Sequence, residues 1–150
     1  MEQTLAHCVS LLRKDFTAFC SRRLAEEGLS QGQLYFILYV GRHPGCRPRE
    51  LAQALRADAG HTTRMLTRLA QDGFLVQEKS EADGRARSLL LTERGEAAFR
   101  LSHALFTQWD AQVLAPLGPQ ERSTLLALLA KLTPAEGGRP CGGTDAVHTH

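Results

Sequence analysis

The sequence predicts a mainly α-helical protein that carries one small β-hairpin. Apolar residues recur at helical spacing before residue 72 and again after residue 92. Between these stretches, two short runs of strand-forming residues flank Asp83-Gly84, a dipeptide typical of a hairpin turn. The two helical segments before the hairpin are short and closely spaced. Helix, turn, helix and hairpin in this order predict a winged helix-turn-helix.

The first two helices are predicted from their apolar spacing and from the residues at their ends. The first runs from about Glu2 to Glu27, and Gly28 suits the left-handed residue that stops a helix. Ser30 and Gln33 form a capping box for the second, from about Gln31 to Arg42. This second helix is apolar on nearly every side, which predicts that it is buried at the centre of the domain. The apolar stripe of the first helix consists of Leu5, Cys8, Leu12, Phe16, Phe19 and Leu24.

The helix-turn-helix is predicted between the break at His43-Pro44-Gly45 and Gly73. Pro48 fits the first turn of the first helix in this motif. A backbone N–H in that turn has no partner within the helix, so a proline costs no hydrogen bond there. Asp58 is a favourable N-cap for its second helix, which extends to about Asp72. Helical spacing assigns one set of residues in this second helix to the core: Ala59, Thr62, Met65, Leu66, Leu69 and Ala70.

Two helices are predicted after the hairpin, whose strands cover about residues 74–79 and 88–91. Thr92 caps the first, which ends near Leu114, and the second runs from about Gln120 to Leu132. The winged helix-turn-helix module thus covers residues 30–92. Residues 1–29 and 93–132 form a helical region outside it, whose apolar stripes exceed what a small module needs and predict a two-fold homodimer. The Gly- and Pro-rich tail, residues 133–150, is predicted to be disordered.

The charge of the chain is concentrated in one segment. The formal net charge is only +2, but residues 40–100 hold eleven Lys/Arg against eight Asp/Glu. This basic excess coincides with the helix-turn-helix and the hairpin, where contacts to phosphates would need it. Double-stranded DNA is therefore the expected partner.

Several other classes of protein find no support in the sequence. There is no glycine-rich phosphate loop, no G-x-S-x-G motif and no pair of carboxylates on one face, so we expect no enzyme and no cofactor. The histidines lack metal-ligand spacing, and the four cysteines form no C-x-x-C pair. No signal peptide and no apolar run long enough to span a bilayer is evident. We expect a cytoplasmic protein without a membrane partner.

The outer arc of the second helix carries groups suited to DNA recognition. His61 and Thr63 are short hydrogen-bonding residues near the helix start, the end that enters the major groove. Gly60 permits close approach, and Arg64 can pair with a guanine edge or bind a phosphate. Arg68 continues the arc. A helix with this outer face, considered alone, more often just exposes its charged residues to solvent. The turn before it and the hairpin after it favour the DNA-binding interpretation.

The hairpin turn supplies a second basic element. Arg85 and Arg87 lie near its tip and can enter the minor groove, and Asp83 can orient one of them. A winged helix can also serve as a protein–protein module, but the outer arc should then be apolar or acidic. The residues found on that arc are instead polar or basic.

Five short motifs follow one another along residues 5–132. They are Gly28-Leu29-Ser30-x-x-Gln33, Leu51-Ala52, Thr63-Arg64-x-x-x-Arg68-Leu69-x-x-x-Gly73-Phe74-Leu75-Val76, Asp83-x-Arg85 and Leu91-Thr92-x-x-Gly95. This ordered set resembles the MarR family of bacterial transcription regulators. The resemblance implies a homodimer built from the first and last helices, a pseudo-palindromic operator, and a ligand or oxidant that weakens DNA binding. The resemblance leads us to expect that the protein is a repressor.

The resemblance also assigns residues to the DNA surface. It makes Asp83 and Arg85 the wing pair, and residues 60–64 the edge that reads bases. Gly60-His61 departs from the small hydroxyl residues usual in the family, so the bases recognised can differ. Pro48 stands where Ser or Thr is usual, so that phosphate contacts are expected from Arg47 or Arg49 instead.

The signal that controls the protein is predicted in two alternative forms. Family members often bind small aromatic or amphipathic molecules where the dimer arm meets the winged helix. In this chain Arg13 and Arg23 could face an anionic ligand. The residues expected at that junction are Phe16, Phe19, Tyr35, Tyr39, Phe99 and His103. The alternative for all six is a structural role in the core.

The second form is a thiol-based redox signal. Peroxide-sensing family members carry a reactive cysteine near the start of the first helix, and Cys8 lies in that region. The tyrosines that would hold its thiolate are replaced by Leu11 and Leu12. Because a reactive thiol needs a polar or cationic setting, this alternative is the less favoured one.

Overall fold

The computed structural model describes residues 3–79 and 87–133 of the 150-residue chain. These residues fall into two compact units, the first ending at Val113 and the second beginning at Leu114. The elements, in chain order, are α1 (Leu5–Glu26), α2 (Gln31–Arg42), α3 (Pro48–Leu55), α4 (Ala59–Gln71), β1 (Leu75–Lys79), β2 (Arg87–Leu91), α5 (Glu93–Val113) and α6 (Pro119–Leu132). Their order and type confirm the predicted helix-turn-helix followed by a hairpin.

Helix α2 is the centre of the first unit. Its capping box is formed as predicted, with Ser30 N–H bonded to Gln33 Oε1 at 2.9 Å and Gln33 N–H bonded to Ser30 Oγ at 3.2 Å. α1, α3, α4, α5 and β2 all pack against this helix. The prediction of a buried central helix is confirmed by its covered side chains: Gln33, Leu34, Phe36, Ile37, Leu38 and Val40.

Helix α1 is covered along only part of its length. Cys20 and Leu24 are fully buried, and Phe16 packs against the core from a half-buried position. Nearer the start of the helix, Leu5 and Leu12 are 58% and 44% exposed. Helical spacing therefore identified the apolar face of α1, but its N-terminal part lies outside the core of the single chain.

The two strands form an antiparallel hairpin that is anchored to the turn after α2. Leu75 pairs with Leu91 at one end and Lys79 with Arg87 at the other. Backbone bonds of 2.9 Å join Leu89 to the residues of this turn, Gly45 and Cys46. The predicted hairpin is therefore confirmed, with β2 beginning one residue earlier than expected. Its turn, with the predicted Asp83 and Arg85 contacts, and the predicted tail beyond residue 133 lie outside the described residues.

A compact joint connects the end of α4, the start of β1 and the start of α5. Thr92 Oγ1 donates to the carbonyl oxygen of Gly73 and accepts from the N–H of Gly95. Thr92 N–H donates to the carbonyl oxygen of Phe74 at 3.1 Å. Arg94 donates to the carbonyl oxygen of Asp72 at 2.6 Å, and its guanidinium lies 4.3 Å from the centre of the Phe74 ring. We call these contacts the α4–α5 joint.

The joint leaves no room for a side chain at position 95. A Cβ atom built on Gly95 would lie 2.0 Å from the carbonyl oxygen of Phe74 and 3.1 Å from the side chain of Leu91. A second close approach occurs where α5 meets α2, because a Cβ on Gly41 would lie 2.3 Å from the ring of Phe99. α5 is thus seated against the winged helix at two points that require glycine.

The described part of the second unit consists of α6 and the turn before it. Pro119 occupies the first turn of the helix, and Arg122 Nε donates to the carbonyl oxygens of Leu114 and Leu117 at 3.1 Å. None of the described α6 side chains is buried. The large apolar residues that it exposes are Leu125, Leu126, Leu128 and Leu132.

Gly95→Ala is expected to lower the free energy of unfolding by about 1–3 kcal/mol, because the new methyl group must push two backbone segments apart. The measurement is urea-induced unfolding followed by circular dichroism. Gly32→Ala is the matched control, since the nearest atom to its Cβ position is 3.8 Å away. That variant should be neutral or more stable by up to about 1 kcal/mol. Equal midpoints for both variants would contradict the tight packing of the joint.

Candidate nucleic-acid interface

The first turn of α4 is anchored by Asp58, the residue that precedes the helix. Its Oδ1 accepts a hydrogen bond from the N–H of His61 at 2.7 Å. This bond and the nearby guanidinium of Arg64 hold the pKa of Asp58 below its usual range. The negative charge lies at the positive end of the helix dipole and stabilises α4. The predicted N-cap is confirmed.

Helix α4 has a core face and an outer face. Thr62, Leu66 and Leu69 are buried, as the spacing predicts. Ala59 was assigned to the core from spacing alone, and that assignment is wrong: this residue is exposed, because it is the first of the helix and lies at its free end. The outer face exposes the five residues predicted for it: Gly60, His61, Thr63, Arg64 and Arg68.

Gly60 allows the guanidinium of Arg64 to lie along the first turn of α4. A Cβ atom built on Gly60 would be 3.3 Å from Arg64 Nη1 and 3.4 Å from Asp58 Oδ1. The cation and the carboxylate therefore flank the same stretch of bare backbone. A larger residue at position 60 would crowd both groups.

The other polar residues of the outer face have partners within the protein. The ring of His61 packs edge-on against Phe36 of α2, with ring centres 6.1 Å apart. Thr63 Oγ1 donates to a backbone carbonyl one turn earlier at 2.9 Å. Arg68 Nε lies 3.8 Å from the carboxylate of Asp72, in a pair that is largely exposed. Exposed contacts of this kind are weak, so a DNA ligand can replace them at small cost.

A hollow of about 460 Å³ lies between α3 and α4. Arg49 and Thr63, both predicted DNA contacts, line it from opposite helices. Thr62 also lines it, and its buried hydroxyl has no hydrogen-bond partner among the residues described. Arg56, in a left-handed conformation at φ 54°, adds a second arginine to the lining. Sequence reasoning missed Arg56, although its place directly before the turn into α4 could have identified it.

Two further predicted contacts lie at the ends of neighbouring elements. Arg47 directly precedes α3, and its N–H donates to Glu50 Oε2 at 3.1 Å while its side chain is exposed. Arg87 opens β2 and donates to Gln77 Oε1 at 3.2 Å across the hairpin. The exposed arginines in the described part of the winged module include Arg47, Arg49, Arg56, Arg64, Arg68 and Arg87. Such a set can neutralise phosphates on both sides of a groove.

The aromatic residues predicted to line an effector site are spread over several places. Tyr39 packs against His43 with ring centres 4.4 Å apart, and Phe99 packs edge-on against His103 at 4.9 Å. Tyr35 is 40% exposed, and its hydroxyl accepts a bond from a neighbouring glutamine. Phe16 packs edge-on against two aromatic rings of α5. None of these five side chains lines the hollow that lies between α1 and α5, and their part in an effector site stays a prediction.

Phe19, the sixth predicted residue, lines a hollow of about 430 Å³ between α1 and α5. Arg22 and Arg23 lie on the same wall, and Arg13 is not among the lining residues. Asp15 also faces this hollow, and its Oδ2 accepts a bond from the indole N–H of Trp109 at 2.9 Å. The hollow thus combines one aromatic ring, two cations and one carboxylate that is already hydrogen-bonded.

The cysteines described have different settings. Burial raises the pKa of the Cys20 thiol. Burial also raises that of Cys46 to about 11, with a further contribution from the Glu50 carboxylate. A raised pKa suppresses the reactive thiolate, so neither is suited to redox sensing. Cys8 is half-buried on α1.

Neither a metal site nor a membrane-spanning helix occurs along residues 3–79 and 87–133. No group of three or more His, Cys, Asp or Glu side chains there is placed to hold a metal ion. In the same part of the chain, every helix is too short or too polar to cross a membrane.

Comparison with known proteins gives concordant results. The model of the MarR family matches residues 27–86. The HTH-type transcriptional regulator BilQ of Clostridium symbiosum is 47% identical over 132 residues, which is 88% of this chain and 92% of that protein. BilQ of Clostridioides difficile is 26% identical over 124 residues, covering 83% of this chain and 84% of its own.

Solved structures show the same fold. A crystal structure of MarR superposes with a TM-score of 0.79 at 26% identity, covering 87% of this chain and 89% of that one. A MarR variant from E. coli in complex with operator DNA superposes with a TM-score of 0.74 at 24% identity, covering 87% and 94%. The fold, the family model and the close relative agree: this chain belongs to the MarR family of winged helix-turn-helix transcriptional regulators, which act by binding DNA and are not enzymes.

Proposed function

We propose that this protein is a repressor that binds a pseudo-palindromic operator as a homodimer and is released by a small effector. The observation that carries the proposal is the outer face of α4. It places a bare glycine, two short polar residues and Arg64 at the exposed start of a capped helix. A helix start of this composition enters the major groove, while the arginines around it bind phosphates.

The homodimer is supported by apolar residues that the single chain leaves exposed. They lie on two helices outside the winged module, the first half of α1 and α6. A second copy of the chain can cover them, and each square ångström of apolar surface removed from water contributes about 25 cal/mol. On α1 they are Leu5, Val9, Leu11 and Leu12, and on α6 they are Leu125, Leu126, Leu128 and Leu132.

The effector site is proposed at the hollow between α1 and α5. Its volume of about 430 Å³ suits a small molecule. The ring of Phe19 offers an apolar wall, and Arg22 and Arg23 offer donors for an anionic group. The chemistry favours an aromatic carboxylate. Cys8 has no comparable support, so ligand release is preferred to a thiol switch.

Selection of genomic fragments by the purified protein tests the core of this proposal. The expected product is a short inverted repeat with half-site centres about 10 bp apart and two chains bound per site. The logarithm of the binding constant should fall steeply with the logarithm of salt concentration, since phosphate contacts release counterions. Adding the protein should reduce transcription in vitro from a promoter that contains the site. Binding that is indifferent to salt would favour a protein-binding module instead.

Arg64→Ala should weaken operator binding by about 1–3 kcal/mol per site and relax the base preference at one position in each half-site. The physical reason is the loss of a bidentate donor that can pair with a guanine edge. Competition between single-base variants of the operator measures the preference. Arg100→Ala removes the same charge from an exposed position on α5 and should alter affinity only slightly. Similar losses for both variants would mean that Arg64 contributes only charge.

A tryptophan bonded to a wall residue of the proposed effector hollow can report on binding. Trp109 is the single tryptophan of the chain and is bonded to Asp15 at the wall of the hollow. Benzoate, used as a probe, should change the Trp109 fluorescence, and Arg23→Gln should weaken this binding at least about five-fold, the size expected for a charge-assisted contact. Arg13→Gln, on the same helix, is the control. If the fluorescence does not respond to benzoate-type anions, or if both variants respond alike, the proposed effector site is wrong.

A further inference from the structure

The first turn of α4 brings together a carboxylate, a cation and a bare backbone. Arg64 Nη1 and Asp58 Oδ1 lie 3.3 and 3.4 Å from the position that a Cβ atom of Gly60 would occupy. The same oxygen, Asp58 Oδ1, accepts the N–H of His61 at 2.7 Å. One carboxylate oxygen therefore caps the recognition helix and approaches the same glycine as Arg64, the cation proposed to read a base, whose positive charge acts on it.

We infer that Asp58 is a specificity-determining residue, which restrains Arg64 along the first turn of α4 and disfavours DNA contacts made through phosphates alone. The inference rests on the proposed DNA-binding function and names the residue that makes it selective. Asp58 itself is a positioning residue, because it acts through Arg64.

The restraint on Arg64 affects non-specific DNA binding and operator binding differently. Non-specific complexes are held almost entirely by phosphate contacts, which a carboxylate at the helix start opposes. In the operator complex, a guanine edge offers Arg64 two directed hydrogen bonds. A guanidinium that is already held near the helix start loses less side-chain freedom when it forms them. Asp58 therefore weakens non-specific binding more than operator binding.

Two further observations agree with this role. Asp58 is exposed at the tip of the helix, where its charge faces whatever approaches α4. The arginine further along the same face has a separate acidic neighbour, since Arg68 lies 3.8 Å from Asp72. Each end of α4 thus combines an arginine with a carboxylate, Arg64 with Asp58 at the start and Arg68 with Asp72 at the far end.

Asp58→Asn separates the charge from the cap, since asparagine caps a helix about as well as aspartate. The experiment measures Kd for the selected operator and for a scrambled duplex of equal length, at several salt concentrations. The variant should bind the scrambled duplex more tightly, and the ratio of the two constants should fall about three-fold or more. An exposed charge pair changes an equilibrium by a factor of about 1.5–5, and two copies act per operator.

Asp72→Asn is the matched control, because it removes the same charge beside an arginine at the other end of α4. It should change both constants by similar factors and leave their ratio within about two-fold. Asp58→Ser, a second variant with a capping side chain, should repeat the effect of Asp58→Asn. In an Arg64→Ala background, Asp58→Asn should no longer change the ratio, because the group on which Asp58 acts is gone.

The outcomes separate this inference from the proposed function. An unchanged ratio for Asp58→Asn, in a protein that still selects its operator, would overturn the inference and leave DNA binding intact. A ratio that falls equally for Asp72→Asn would also overturn it, because the effect would then be one of net charge. Failure of the unaltered protein to distinguish any duplex would overturn the proposed function and this inference together.

Discussion

The arrangement of the winged module depends on the close contact between Gly95 and the carbonyl of Phe74. At that point the chain leaving α4, the first strand and the start of α5 meet with no space for a side chain. Thr92 satisfies backbone groups from both sides of the contact, and Arg94 covers it. Buried backbone groups must be hydrogen-bonded, so the joint permits few alternative geometries. Because α4 ends there, its C-terminal end is held relative to α5.

The opposite end of α4 is held by its cap and lies at the surface of the protein. Asp58 accepts the N–H of His61 and remains exposed. The outer face between these two ends carries weak contacts that solvent or a ligand can replace. A helix that is rigidly fixed at one end and polar at the other suits an element that must enter a groove. The net charge of the chain is only +2, so DNA binding depends on where the arginines lie more than on how many there are.

The proposed effector hollow and the α4–α5 joint both involve α5. α5 contributes Gln112 to the hollow near one end, and Thr92, Arg94 and Gly95 form the joint at the other. A ligand shifts DNA affinity only if it binds the DNA-competent and incompetent arrangements unequally. Because α5 approaches α2 closely at Gly41 and the Phe74 carbonyl closely at Gly95, a displacement of α5 must disturb contacts with the winged module. Such a displacement of α5 is how a bound effector would weaken DNA binding in the proposed release.

Local features of the sequence determined most of the fold. The capping residues Ser30 and Asp58 and the largely apolar α2 depend on features within a few residues of one another, so spacing and residue type suffice to identify them. Spacing also identified the outer face of α4, with Ala59 as the exception at the helix end. Only the tertiary structure decided which groups come together: Arg49 and Arg56 at one hollow, Asp15 with Trp109, and Phe99 with His103. Such contacts depend on how helices cross and on which rotamers the neighbours allow, which a one-dimensional pattern does not record.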